Sequence, residues 1–168
     1  MPMSLTAAVL TVSDRASRGQ RTDVSGPRVS EFLSQRGFTV NAHSVVPDEE
    51  ALIEAALLDL SQKAMLVVTV GGTGIAERDV TPEATRTVCR RLIEGISERM
   101  RAEGGRHTPL AVLSRGLCGV CGSALVLNLP GSPAGAMQSL GAVIDVLPHA
   151  LKLLAGDTGH EESGSPEG

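Results

Sequence analysis

Residues Ala64 to Ala84, AMLVVTVGGTGIAERDVTPEA, constrain this chain more than any other stretch. Ala64 to Val70 is apolar or β-branched throughout, with no polar alternation. Such a run reads as a strand buried on both faces, as in a parallel sheet. It stops at Gly71-Gly72-Thr73-Gly74, where the missing Cβ atoms allow a ligand close to the backbone and successive N–H groups can form an anion-binding concavity. A polar loop with Arg78 and Asp79 follows, and then Thr81-Pro82-Glu83. Threonine, proline and an acid in that order predict a helix start, with Thr81 as N-cap. A plain Gly-rich turn would look the same at this point. Two familiar nucleotide loops are excluded. A P-loop needs a lysine and a hydroxyl after its last glycine, but Ile75 and Ala76 follow here. A dinucleotide fingerprint needs a third small residue and an immediate helix, but the third place is Glu77 and the helix begins later.

The rest of the chain alternates strand and helix signals. Strands are expected at Leu5 to Val12, Phe38 to Val46 and Ala124 to Leu129. Helices are expected at about 26–35, 49–62, 82–92 and 94–103, with a short helical piece from Thr108-Pro109 to Leu113. Leu52 to Leu60 reads as a core stripe. Residues 114–123 read as a loop. A long helix should follow Pro133 to about Leu154, kinked or split by Pro148 and ended by Gly156. The reading is one domain over residues 1–156 with a disordered tail over 157–168. Its fold class is a three-layer α/β/α sandwich with a mostly parallel sheet.

In that architecture the loops after the strands share one rim. Three of them carry phosphate chemistry: Ser13-Asp14, Gly71 to Asp79, and Pro130-Gly131-Ser132. Their agreement counts for more than any one of them.

Composition narrows the function. The net charge is −4, Trp and Tyr are absent, and there are two Phe, so neither a general basic surface nor an aromatic platform for bases is present. The first residues lack the basic flank and apolar core of a signal peptide, and no apolar run is long enough for a bilayer, so a cytoplasmic location is expected. Cys118 and Cys121 have CxxC spacing, but no second ligand pair accompanies them, and two ordinary residues in a Gly-rich loop is the better reading. His43, His107 and His149 have no partner at metal-ligand spacing.

Taken together, Thr69 to Gly74, Arg78 to Ala84 and Asn128-Leu-Pro-Gly-Ser132 resemble the MogA/MoaB family of molybdenum-cofactor biosynthesis, whose domain also occurs in gephyrin. Ser13-Asp14, Pro47-Asp48-Glu49 and Ser114-Arg115 fit as well, and the resemblance covers about residues 5–155. It implies a homotrimeric enzyme that uses Mg²⁺ and ATP to adenylylate molybdopterin and passes the product to a MoeA-type molybdenum insertase. The family's two important carboxylates fall on Asp48 and Asp79, as catalytic groups and metal ligands. Nucleotide and phosphate binding falls on Ser13, Asp14, Gly71, Gly72, Thr73, Gly74, Asn128, Pro130, Gly131 and Ser132. The pterin side falls on Ser114, Arg115 and Ser123. One departure stands out: Cys121 takes the place of an arginine that the family usually has before the last strand. If that arginine helps hold substrate, Arg115 is the nearby cation to replace it.

Each residue also has a plainer reading. Asp79 would cap its own turn, Asp48 would begin a helix, and Asn128 would satisfy backbone groups inside a buried strand. A different class of function, a trimer that holds molybdopterin without catalysis, is the alternative.

Overall fold

The computed structural model describes residues 2–159. The expected tail, 157–168, falls largely outside them. Six strands form one sheet in the order β2-β1-β3-β6-β5-β4. They are β1 (Leu5–Val12), β2 (Phe38–Val46), β3 (Leu66–Val70), β4 (Arg91–Leu92), β5 (Cys118–Cys121) and β6 (Ala124–Leu129). Neighbours pair in parallel from β2 to β6, and β5 runs antiparallel between β6 and β4.

The helices are α1 (Asp14–Ser17), α2 (Ser25–Gln35), α3 (Glu50–Lys63), α4 (Thr81–Val88), α5 (Glu94–Gly105), α6 (Pro133–Val143) and α7 (Leu147–Leu154). A 3₁₀ turn covers Pro109–Leu113. Strand residues alternate between the two sides of the sheet. Ala7, Val9, Leu66, Val68, Leu125 and Leu127 pack under α2, α5, α6 and α7. Ala8, Leu10, Val67 and Val126 pack under α3 and α4. The expected three layers are therefore present, and β1, β3 and β6 are buried on both sides, which explains their lack of polar alternation. Edge strand β2 alternates instead.

Several local expectations are corrected. The fourth helix ends at Val88, and Arg91–Leu92 is an edge strand. The presumed loop at Cys118–Cys121 is strand β5, joined to β6 by Gly122-Ser123. Gly122 has φ +61°, as the first position of a tight two-residue hairpin turn demands. The Gly-Ser pair between apolar runs was the available signal. Successive strand positions face opposite ways, so Cys118 and Cys121 belong to different cores and make neither a redox pair nor a metal site. Burial pushes the Cys89 and Cys118 thiols up to about 12, so neither supplies a thiolate at neutral pH. On α3, Ile53, Leu57 and Leu60 are buried, whereas Leu52 faces solvent. The last helix is split as expected, with Pro148 in the first turn of α7.

Candidate functional site

The chain leaves β1 for β2 on one side and later leaves β3 for β4, at the far edge of the other side. The carboxyl ends of β1 and β3 therefore flank a topological switch point, where open α/β sheets place their ligand crevices. Two clefts on this rim share the Gly-rich turn. The smaller, about 370 Å³, is lined by the β1 loop, Asp48, Gly71 and Gly72. The larger, about 490 Å³, lies against α5, α6 and the 3₁₀ turn, with Met100, Leu110 and Leu113 as apolar wall. Gly72, Asp79, Gly131 and Ser132 line both, so they form the ridge between them. Both volumes suit small-molecule ligands.

The Gly-rich turn is held open by its surroundings. Gly71 and Gly72 have φ of +104° and +68°. The Thr81 hydroxyl, buried, donates to the Gly71 carbonyl at 2.9 Å. Thr81 is thus the first residue of α4 and a brace for the turn, while Val80 stands at the N-cap position. The Gly71 N–H donates to the Leu129 carbonyl and is not free for a ligand. The N–H groups of Gly72, Thr73, Gly74, Gly131 and Ser132 donate to no group among the described residues. Gly131 crosses close to the turn: a Cβ placed on it would lie 3.3 Å from Gly71 Cα. The two loops that carry these open donors therefore meet, as an anion cradle requires.

The two sequence-designated carboxylates border this cradle. Asp48 Oδ1 would lie 3.2 Å from a Cβ on Gly72, and Asp79 Oδ2 2.8 Å from one on Gly74. Asp79 also accepts the Ala76 N–H at 3.0 Å, so its capping role is real and uses one oxygen. Burial raises the pKa of Asp48, against the lowering effect of the Asp14 N–H, and the charges of Asp14 and Asp79 raise it further. Among the described residues no group of three or more His, Cys, Asp or Glu is placed to hold a metal.

Asp14 is built into the frame of the rim. Its carboxylate accepts the Asp48 N–H at 3.0 Å, and its own N–H donates to Asp48 at 2.9 Å. Arg78 adds two hydrogen bonds, at 2.6 and 2.9 Å. Three separate loops are clasped in this way. The guanidinium holds the Asp14 carboxyl down to about 2. With a depressed folded pKa, the pair's contribution is complete above the unfolded value near 4 and is lost as pH falls through about 2. A carboxyl NMR titration of Asp14 should show that low midpoint, and Arg78→Ala should return it to the ordinary carboxylate range.

Other sequence-designated residues do structural work. Arg115 donates to the carbonyls of Gly74 and Asp79, both at 2.7 Å, and pairs with Glu83. Its guanidinium grips the Gly-rich loop from outside and is no spare cation for a ligand. The buried Asn128 side chain donates to Thr69 and Thr85 at 3.0 and 2.9 Å and accepts the Leu117 N–H at 3.1 Å. Asn128→Ala would orphan all three partners, and about 2–4 kcal/mol of stability should go with them, read by denaturant unfolding. Ser123 sits in the β5–β6 hairpin, at the opposite end of β6 from Pro130, and is not brought to the rim. Ser13 caps α1 through the Ala16 N–H at 3.1 Å and faces the smaller cleft. Thr73, Ser114 and Pro130 line the larger one. Sequence reasoning missed the helical side of the larger cleft, including Ser97, Arg101, Gln138 and Ser139. These positions look like ordinary helix surface in one dimension.

The molecule is an α/β sandwich with two clefts that meet over a shared Gly-rich ridge flanked by carboxylates, the arrangement of a small-molecule-binding protein. The chain matches the family described as "Probable molybdopterin binding domain" over residues 8–149, and it belongs to that family. It is 40% identical over 155 residues to the molybdopterin adenylyltransferase of Helicobacter pylori strain J99, covering 89% of this chain and 87% of that one. Among solved structures it resembles the molybdopterin biosynthesis enzyme MoaB of Thermus thermophilus, with TM-score 0.84 and 48% identity over 90% of this chain and 97% of that one. The molybdopterin biosynthesis Mog protein of Mycobacterium ulcerans is similar, with TM-score 0.85 and 41% identity over 92% and 99% of the two chains.

Proposed function

We propose that this chain transfers the adenylyl group of ATP to the terminal phosphate of molybdopterin. The observation that carries this reading is the pair of clefts joined at Gly72, Asp79, Gly131 and Ser132. One cleft takes the nucleotide and the other the pterin, and the ridge is where their phosphates meet. The smaller, more polar cleft suits the triphosphate; the larger, with its apolar wall, suits a flat bicyclic ring. The names of the relatives agree with this.

The reaction asks little covalent chemistry of the protein. An oxygen of the pterin phosphate attacks the α-phosphorus of ATP, the bond to the β-phosphate oxygen breaks, and pyrophosphate departs with the electron pair. The attacking phosphate is already ionised at neutral pH, so no protein base is needed. The N–H groups of Gly72 to Gly74 and of Gly131 and Ser132 hold the phosphates in place. Asp48 and Asp79 fit Mg²⁺, which usually takes one or two carboxylates with phosphate oxygens and water. When bound there, Mg²⁺ would neutralise charge on the triphosphate. The lack of a larger acidic cluster among the described residues agrees with a metal shared with substrate.

The reading extends to a homotrimer, a cytoplasmic location and hand-over of the product to a MoeA-type insertase. No helix among the described residues is long and apolar enough to cross a membrane, which fits that location. The deciding experiment measures pyrophosphate released from ATP and Mg²⁺, with and without molybdopterin. Release only with the pterin is expected. Binding of molybdopterin without release would replace transfer by a holding role. Native mass spectrometry reads the trimer separately.

A further inference from the structure

One histidine that neither cleft touches is wired to the wall of the smaller one. Residues Arg21 to Ser25 line that cleft, at the entry to α2. From Arg21 to Val24 no backbone N–H donates to a carbonyl among the described residues, so secondary structure does not hold this wall. Side chains hold it instead. The Ser25 hydroxyl donates to the Gly131 carbonyl at 2.8 Å. Asp23 accepts the Gly26 N–H on one oxygen, at 3.0 Å, and the hydroxyl of buried Thr11 on the other, at 2.6 Å. His43, on edge strand β2, completes the hub: its Nε2 lies 3.1 Å from that second oxygen and 3.0 Å from Thr11 Oγ1. An ionised carboxylate only accepts, so Thr11 gives its hydrogen to Asp23, and the Nε2 carries the hydrogen it shares with this pair. The same ring nitrogen faces both partners, so the trio is no nucleophile–base–acid relay, which uses both nitrogens. A Cβ on Gly26 would strike all three polar atoms, and its absence lets them meet. Thr11 and Asp23 line the smaller cleft, whereas His43 lines neither.

We propose that His43 is a positioning residue for the nucleotide: through Asp23 it fixes the Arg21 to Ser25 wall of the smaller cleft. The proposal rests on the reading of that cleft as the nucleotide side. One carboxylate joins β1, β2 and the entry to α2, and His43 is its tie to β2. Without the imidazole the wall loses that tie, and Asp23 is left with Thr11 and Gly26. The Gly-rich turn is held separately, by Thr81 and Arg115. His43 therefore sets how tightly Mg-ATP binds and not how fast the adenylyl group moves.

The test measures Mg-ATP binding to the full chain by calorimetry, and KM for ATP and kcat by pyrophosphate release with saturating molybdopterin. Loss of one hydrogen bond to a carboxylate should weaken ATP binding and raise KM about ten-fold in His43→Ala, with kcat unchanged. His43→Gln, whose amide N–H can reach the same oxygen, should restore most of the lost affinity. Asn41→Ala removes a 2.8 Å bond to the Lys63 carbonyl from the same edge strand, lines neither cleft, and should leave ATP affinity as it is. Should His43→Ala fail to fold, His43→Leu fills the space without a donor and is read in its place. Unchanged ATP affinity in the folded variant overturns the proposal, as does equal weakening in Asn41→Ala or a wild type that binds no Mg-ATP. Pterin-dependent pyrophosphate release with an unchanged KM removes the role of His43 and leaves the transfer reading standing. ATP binding weakened by His43→Ala, in a chain that releases no pyrophosphate, removes only the transfer reading.

Discussion

Asp79→Asn should fold as the wild type does and lose turnover about a hundred-fold or more, as expected when a carboxylate that would hold Mg²⁺ against the phosphates is neutralised. The geometry separates the two roles of this side chain. One carboxylate oxygen accepts the Ala76 N–H, and an asparagine carbonyl can accept the same bond. The loop should keep its shape while the negative charge beside Gly74 disappears. Turnover from pyrophosphate release and the melting temperature, measured together, read both effects. A folded variant with wild-type turnover would remove Asp79 from the chemistry and leave it as a turn cap. A variant that fails to fold would give the capping bond more weight than its single 3.0 Å contact implies.

Gly71→Ala should be the most damaging small substitution in the site. Gly71 has φ +104°, where a Cβ is strained, and that Cβ would also collide with the Val12 carbonyl oxygen. The obstacle is backbone of the neighbouring central strand, which cannot swing aside. The cost should be about 3 kcal/mol or more, a fall in melting temperature of about 10 °C for a chain of this size. Gly37→Ala is the control. Gly37 has φ +88° but nothing within 4 Å of its added Cβ, so only the conformational strain applies. Equal losses in the two variants would mean that the close approach of β1 to the turn contributes nothing.

The central strands were legible because their apolar runs are long and unbroken. β3 and β6 are buried on both faces, and no surface requirement interrupts their sequences. The rim was legible for a related reason: glycines followed by charge at a strand end make an unusual local signal. β5 was not legible. It is four residues, half of them cysteine and one glycine, and it is a strand because β6 and β4 offer partners on both sides. β4 is two residues for the same reason. Short strands with small side chains owe their state to pairing, which lies outside any local window.

The site divides along a similar line. Asp79 and the Gly-rich turn were legible as residue types at a strand end and Asp48 only through the family resemblance, and all of them face one rim. Asp14 and Arg115 look alike in sequence, as charged residues in polar loops beside the site. Their partners decide their work: Asp14 is spent on Arg78 and Asp48, and Arg115 on Gly74, Asp79 and Glu83.

The sequence by itself determined the layers and the loops that meet at one edge, because buried strands and their glycine turns are written in consecutive residues. Only the tertiary structure decided which polar groups remain free there. A donor or acceptor is available only after every neighbour that might pair with it has been placed, and those neighbours come from loops tens of residues apart. That is why the Gly71 N–H and the Arg115 guanidinium are already taken, while the N–H groups of Gly72 and Gly131 have no partner among the described residues.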